Sequence, residues 1–353
     1  MRKNGAMHHG APTATLPAPL DRSKPVVVAP MAGGPSSPAL VAAATGAGHF
    51  AQLAGGYLST DALRAQIDEV RSRGVGAFGV NLFVPNTHAI DPSAYERYWD
   101  ALLADGAPHT AGVERPALRE DDDEWGRKLE LLLAERVPVV SFTFGLPEAG
   151  VFERLRAAGI TSMQTVTSAA EAQQAERAGA DVLVVQGAAA GGHSGVWAPH
   201  ALPEELTLTA LVQRVRAAIG LPIVAAGGVV RRAQVEELLA AGAGAVAVGT
   251  AVLRADEAGT SAVHRAALAD PRFERTELTR AFTGRPARAL VNRFVEAHRD
   301  APSGYPAVHH MTRPLRAAAA AAGDASAVHL WAGEGWREAR AGAVVDILAE
   351  LTP

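Results

Sequence analysis

The chain has 353 residues, with 33 Lys and Arg against 37 Asp and Glu, and no cysteine. The missing cysteine excludes disulfides, thiolate nucleophiles and thiolate-held metal centres, and a net charge of −4 gives no general pull toward nucleic acid. The first twenty residues lack the apolar run of a signal peptide, and no charge-free run reaches the roughly 18 apolar residues of a membrane span, so a soluble cytoplasmic protein is expected.

The first apolar run is Val26-Val27-Val28-Ala29-Pro30, and a helical stretch follows from Ser36. Further strand-like runs lie at 49–53, 78–84, 137–144, 162–166, 181–186, 223–226 and 245–248. Most are nearly continuous apolar runs, as parallel strands buried on both faces require. Helical stretches at 60–73, 124–136, 169–178, 206–219 and 233–241 alternate with them. Glycines follow many of the helices, at Gly74, Gly159, Gly179, Gly220 and Gly242, where a left-handed cap favours a residue without Cβ. Eight such units predict an α/β fold, a (β/α)8 TIM barrel over residues 20–252. A doubly wound open sheet is the alternative, and the regularity of the units favours closure.

Between 85 and 123, Pro, His, Asp and Tyr stand where a short helix is due. This segment reads as an insertion covering the catalytic face. The acidic run Asp121-Asp122-Asp123-Glu124 reads as a solvated helix start, because acids suit a helix N-terminus; a metal site there is the sharper alternative. From 253 to 322 the alternation gives way to helical pieces and several Arg, a smaller helical subdomain or an elaborated last connection. Residues 323–353, with Trp331, Gly333, Gly335 and an amphipathic final helix, return to the barrel.

Gly74-Val75-Gly76-Ala77-Phe78-Gly79 fits the dinucleotide pattern G-x-G-x-x-G. It follows a predicted helix and opens a predicted strand, the reverse of the nucleotide-binding order, so a cap and a tight turn explain it better. The seventh and eighth runs end in Ala226-Gly227-Gly228-Val229 and Val248-Gly249-Thr250. These are the two loops in which barrels often hold phosphate, and glycine lets phosphate approach backbone N–H groups. A phosphate site leaves FMN, pyridoxal phosphate or a phosphorylated substrate as candidates. Pyridoxal phosphate needs a Schiff-base lysine, and none of Lys3, Lys24 and Lys128 ends a strand. FMN is favoured, its ring over the barrel mouth against Met31 and Ala32 after the first run and Asn81 in the third.

The catalytic candidate is His193, in the loop Gly187-Ala188-Ala189-Ala190-Gly191-Gly192-His193. An imidazole at a strand C-terminus can serve as a base or an anion-stabilising donor; a loop-capping structural histidine is the plainer reading. The pairs His8–His9 and His309–His310 lack the i, i+4 spacing of a zinc site, and no G-x-S-x-G elbow is present. No metal is expected.

Taken in order, Ala29-Pro30-Met31-Ala32-Gly33-Gly34-Pro35-Ser36, Ala54-Gly55-Gly56-Tyr57-Leu58, Gly79-Val80-Asn81-Leu82-Phe83-Val84-Pro85, Val140-Ser141-Phe142-Thr143-Phe144-Gly145, Gly191-Gly192-His193 and Phe282-Thr283-Gly284-Arg285-Pro286-Ala287-Arg288 resemble segments of nitronate monooxygenases, once called 2-nitropropane dioxygenases. The resemblance runs from about residue 25 to 335. It implies an FMN barrel with a smaller second domain that oxidises alkyl nitronates, notably propionate 3-nitronate, with O2 and without NAD(P)H. Matched by motif, FMN contacts fall on Asn81, Gln186, Gly191, Gly228, Ala247, Val248, Gly249 and Thr250, with Gly192 and Gly227 in the same loops. The family histidine falls on His193, a base toward neutral nitroalkanes. Two departures stand out: Ala189 where the family often has Glu, and Ala247-Val248 where it often has Gln-Met. The rival enzyme is an FMN-dependent NADH enoyl-acyl-carrier-protein reductase, and a flavin-binding barrel without chemistry is the non-enzymatic alternative. The implied partners are a small nitro or nitronate substrate and O2, with no nucleic acid and no membrane; a homodimer is compatible with the sequence. Tyr57, Trp331 and the insertion are candidate pocket walls.

Overall fold

The computed structural model describes residues 15–104, 109–110 and 112–353. Residues 1–14, which carry His8, His9 and most of the segment read for a leader, fall outside them.

Strands β1 (Val26–Val28), β2 (Gln52–Ala54), β3 (Gly79–Phe83), β4 (Val139–Thr143), β5 (Thr161–Val166) and β6 (Val182–Gln186) are followed by a two-residue strand β7 (Gly192–His193), then β8 (Ile223–Ala226) and β9 (Ala245–Val248). All but β7 form one parallel sheet in the order β1-β9-β8-β6-β5-β4-β3-β2. The Val28 amide donates to the Phe50 carbonyl at 2.8 Å and closes the sheet into a barrel. Around it lie α1 (Pro38–Gly46), α2 (Thr60–Ser72), α4 (Trp125–Ala134), α5 (Val151–Ala157), α6 (Ala169–Ala178), α7 (Leu208–Ala218) and α8 (Arg232–Ala240), with α3 (Pro92–Ala104) set into the long β3–α4 connection. The predicted strand-helix order is therefore observed, and Gly74–Gly79 does link α2 to β3. Among the described residues no helix is long and apolar enough to cross a membrane.

Side-chain alternation divides the barrel core. Val26 and Val28 face the helices, while Val27 joins Phe50, Met163, Val182 and Val224 inside. Leu16 and Leu20 complete that inner cluster, and Leu16 lies against Gly244 just before β9. One end of the barrel is thus filled with apolar side chains, and the other, at the strand C-termini, stays open.

A second core forms from Ile90, Tyr98, Trp99, Phe282, Phe294 and Met311. Its elements are α3, α9 (Ala262–Ala267), β10 (Thr276–Thr279), β11 (Ala287–Leu290), α10 (Arg293–Ala297) and α11 (Ala307–Ala321). The last helix, α12 (Val344–Leu351), returns to the barrel core through Val344, Ile347 and Leu348.

Short strands join the helical pieces after 253: β10, β11 and β7 make a three-stranded antiparallel sheet. Other expectations need correction. The 85–123 insertion contains α3, whose Tyr95, Tyr98 and Trp99 are buried in the second core; among the described residues none of it lines the cavity described below. Gly220 is not a left-handed cap, because α7 stops at an extended Ile219 with φ −142°. The acidic run is only partly solvated. Asp123 pairs with buried Lys128 at 2.8 Å, and Glu124 accepts from the Thr60 hydroxyl at 2.6 Å.

Candidate active site

The open end of the barrel is a cavity of about 640 Å³, a size suited to a cofactor with a small substrate. Every residue predicted for the site lines it except Val248, whose side chain is buried in the barrel core. Met31 and Ala32 come from the end of β1, Asn81 from β3, and Ala247 from β9.

The loops after β8 and β9 form a cradle. Gly227 and Gly228 have φ of +133° and +71°, values that L side chains rarely adopt. A Cβ on Gly228 would lie 2.9 Å from that of Ala189. Among the described residues the N–H groups of Gly228, Gly249 and Thr250 have no protein acceptor. Three unpaired amides converging on a cavity wall suit a bound anion. The Thr250 hydroxyl accepts from the Gly333 amide at 3.0 Å, which leaves its own proton to give. A Cβ on Gly191 would sit 2.6 Å from the Ala332 carbonyl carbon and 2.9 Å from Thr250 Oγ1. Segment 331–335 therefore supports the cradle from outside, a role that no local pattern in those residues announces.

A polar chain crosses the strand ends. Asn81 Nδ2 donates to Ser141 Oγ at 2.9 Å and Thr143 Oγ1 at 3.1 Å, and Ser141 donates to Gln52 Oε1 at 2.7 Å. Gln186 fastens the next loop: its Oε1 accepts from the Gly195 amide at 2.6 Å, and its Nε2 donates to the His193 carbonyl at 3.3 Å. From the other side, β7 pairs with β11, with Ala287 opposite His193 and Arg288 opposite Gly192. Barrel and second core thus hold one histidine between them.

His193 Nε2 lies 2.9 Å from the Thr283 hydroxyl, and Nδ1 has no partner among the described residues. Its ring meets Phe144, Tyr305 and Trp331 at centroid distances of 5.6, 6.0 and 5.3 Å. Burial, then the positive charges of Arg285 and Arg316, push its pKa down to about 3. The free ring is neutral at physiological pH.

Sequence reasoning passed over both arginines as individual site residues. Arg285 is 1% exposed, lies 3.9 Å over the Phe144 ring and donates to the Val196 carbonyl. Arg316, on α11, is 6% exposed and lines the cavity. Burial lowers each to about 10, so both stay charged near neutrality. Among the described residues neither lies within ion-pair distance of a carboxylate, and no Asp or Glu lines the cavity. Phe144 and Tyr57, both cavity-lining, hold φ of 81° and 69°; such conformations cost about 1–3 kcal/mol each and gather at functional sites.

A family model described as nitronate monooxygenase matches residues 18–353. A probable nitronate monooxygenase of Bacillus subtilis (strain 168) is 32% identical over 319 residues, covering 89% of this chain and 91% of its own. One from Staphylococcus aureus (strain Newman) is 34% identical over 319 residues, covering 88% of each. Among solved structures, a nitroalkane oxidase from Streptomyces ansochromogenes superposes with a TM-score of 0.88 at 44% identity, covering 94% of this chain and 95% of that one. FabK from Thermotoga maritima gives a TM-score of 0.71 at 24% identity, covering 94% and 92%, a likeness of fold alone.

Proposed function

The chain belongs to the nitronate monooxygenase family, and from that premise we propose that it is an FMN-dependent enzyme oxidising alkyl nitronates of the propionate 3-nitronate type with O2 and without NAD(P)H. One observation carries the substrate reading: among the described residues the cavity around His193 is lined by arginine and by no acid. Fixed positive charge in a poorly solvated cleft favours an anion over its neutral conjugate acid, and a nitronate is the anion of a nitroalkane.

The cradle fits FMN. The amides of Gly228, Gly249 and Thr250 and the Thr250 hydroxyl would hold its phosphate, and Asn81 and Gln186 would meet polar atoms of its ring. Ala247 and Ala189, where the family often has larger residues, leave those backbone donors in place. When bound, FMN supplies the redox chemistry between nitronate and O2.

The chain's own residues divide the remaining work. A nitronate has already lost its α-proton, so no base is needed for it. His193 then orients the anion, and the charge of Arg285 supplies the compensation that a neutral imidazole cannot. Toward a neutral nitroalkane, the unpartnered Nδ1 of His193 accepts the α-proton, and the Thr283 hydroxyl fixes the ring through Nε2. Phe144, Tyr305 and Trp331 exclude water around the ring and strengthen each of these interactions.

Oxygen uptake by purified, flavin-loaded protein given propionate 3-nitronate and no NAD(P)H tests this reading. Rapid uptake with nitrite release is expected. No uptake, together with anaerobic bleaching of the flavin by NADH, would replace it with the enoyl reductase reading.

A further inference from the structure

We propose that Arg316 is the receiving group for a second anionic group on the substrate, a carboxylate, and that it makes the enzyme select dianionic nitronates over alkyl nitronates of equal length. The inference rests on the nitronate reading and adds the residue that distinguishes one nitronate from another.

The argument begins with valence. A guanidinium has five N–H donors. Arg316 Nε donates to Thr312 Oγ1 at 3.1 Å, one terminal nitrogen lies 3.3 and 3.5 Å from the two His329 ring nitrogens, of which a neutral imidazole offers one as acceptor, and the other reaches the His309 carbonyl at 3.0 Å and its Nδ1 at 3.3 Å. These partners leave a donor unused, and all of them are neutral. His309 and His329 are both held below their ordinary range, by burial first and then by Arg316 itself. A charge 6% exposed thus has partners for most of its hydrogen bonds and no counter-ion among the described residues. A buried charge without a counter-ion is costly, and such groups are normally paired. The cavity that Arg316 lines is where the missing anion can sit.

The shell around the guanidinium is rigid. The His309 ring stacks on Tyr57 at 4.2 Å with a 3° interplanar angle, and His329 packs against Trp331 at 5.3 Å. A cation fixed in place before the ligand arrives loses little entropy on binding it. One turn earlier on α11, Arg313 is exposed, lines the same cavity and has no carboxylate partner among the described residues. It draws anions toward the mouth. Trp331 touches both the His193 ring and His329, so the histidine and Arg316 belong to one continuous wall, able to address the two ends of a short chain.

The test uses the flavin-loaded enzyme and two unreactive probes. Succinate has the shape and charge of propionate 3-nitronate with a carboxylate in place of the nitronate; butyrate has the same length and one charge. Calorimetric titration should show succinate binding at least tenfold more tightly to the wild type. In Arg316→Met the difference should vanish with flavin content unchanged, and Arg316→Lys should restore part of it. In turnover, the kcat/KM ratio of propionate 3-nitronate to propyl 1-nitronate should fall by ten- to a hundredfold in Arg316→Met. Equal binding of the two probes by the wild type overturns the proposal and needs no variant. So does discrimination that survives in Arg316→Met, or loss of flavin there, which would assign the arginine to the cofactor. Succinate selectivity without turnover of any nitronate would retain the subsite and reject the nitronate reading.

Discussion

The buried pair under Tyr57 offers a quantitative test of how the site is held. Lys128 is 1% exposed; its Nζ lies 2.8 Å from Asp123 Oδ2 and donates to the Gly55 carbonyl at 2.9 Å. The Asp123 carboxylate also accepts from the Tyr57 amide at 3.1 Å, which fixes Tyr57 at φ 69°. Lys128→Met removes the counter-ion and leaves the largely buried carboxylate with the Tyr57 amide as its donor. Breaking a buried pair on one side costs about 3–5 kcal/mol, and with the Asp123 side chain 23% exposed we expect the lower end, about 3 kcal/mol. Burial already raises the Asp123 pKa while Lys128 lowers it. Losing Lys128 raises it further. A carboxyl whose folded pKa is raised is most favourable below its unfolded pKa and loses stability as pH rises through the folded value, so the deficit should be smaller at acidic pH. Urea unfolding at fixed FMN concentration measures it. The double variant Lys128→Met with Asp123→Asn keeps an oxygen for the Tyr57 amide and removes the stranded charge, so it should regain at least half the loss. A single-variant cost below about 1 kcal/mol, or a double variant that is simply additive, would refute the reasoning.

His193→Ala should retain FMN, seen in its absorbance, and lose roughly 10²–10⁴-fold in kcat/KM on a neutral nitroalkane, with a smaller loss on the pre-formed nitronate; equal rates with both substrates would remove it from proton transfer. Gly191→Ala would push against the Ala332 and Gly333 backbone, an overpacking worth about 1–3 kcal/mol, and equilibrium dialysis should show FMN held at least tenfold more weakly. Gly228→Asp places a carboxylate and a strained φ in the cradle, and flavin content after purification should fall to near zero. His193 and His264 are depressed to about 3 and about 4. The unfolded chain takes up these protons first, so stability is complete above the unfolded histidine value and falls below it, by up to about 1.4 kcal/mol per pH unit for each; a melting temperature unchanged between pH 7 and 5 would contradict that.

The barrel was legible because its strands carry their own signal. Val26–Val28, Val182–Gln186 and Ala245–Val248 are apolar runs whose period needs no distant partner. The antiparallel sheet was not legible. Thr276–Thr279 and Ala287–Leu290 are short and mixed in character, and Gly192–His193 counts as strand only because it pairs with residues 287–288. Helix α3 was readable after the fact: Tyr95, Tyr98 and Trp99 lie at the i, i+3, i+4 spacing of one buried face. The glycine loops and His193 were found because glycine patterns at strand ends have local physical causes. Arg316 was missed because its significance lies in what it is not paired with, and that is a property of the packed structure.

The two halves of the site demand different things of the chain. The phosphate cradle is made of backbone, so glycine specifies it and the sequence displays it. The substrate half is made of charge without counter-charge, on α11 and in the loop before β11, where apolar surroundings would ordinarily forbid it. Arg316 stays hydrogen-bonded between two neutral imidazoles, and Arg285 is held by the Phe144 ring and the Val196 carbonyl, so each leaves its charge to act on the cavity. Burial depresses His193 first and the arginine field adds to it; that added part is offset when an anion enters. The imidazole therefore becomes more basic in the complex than in the free protein. That coupling lets one histidine stay neutral while the cavity waits and hold a proton once a nitronate has formed beside it.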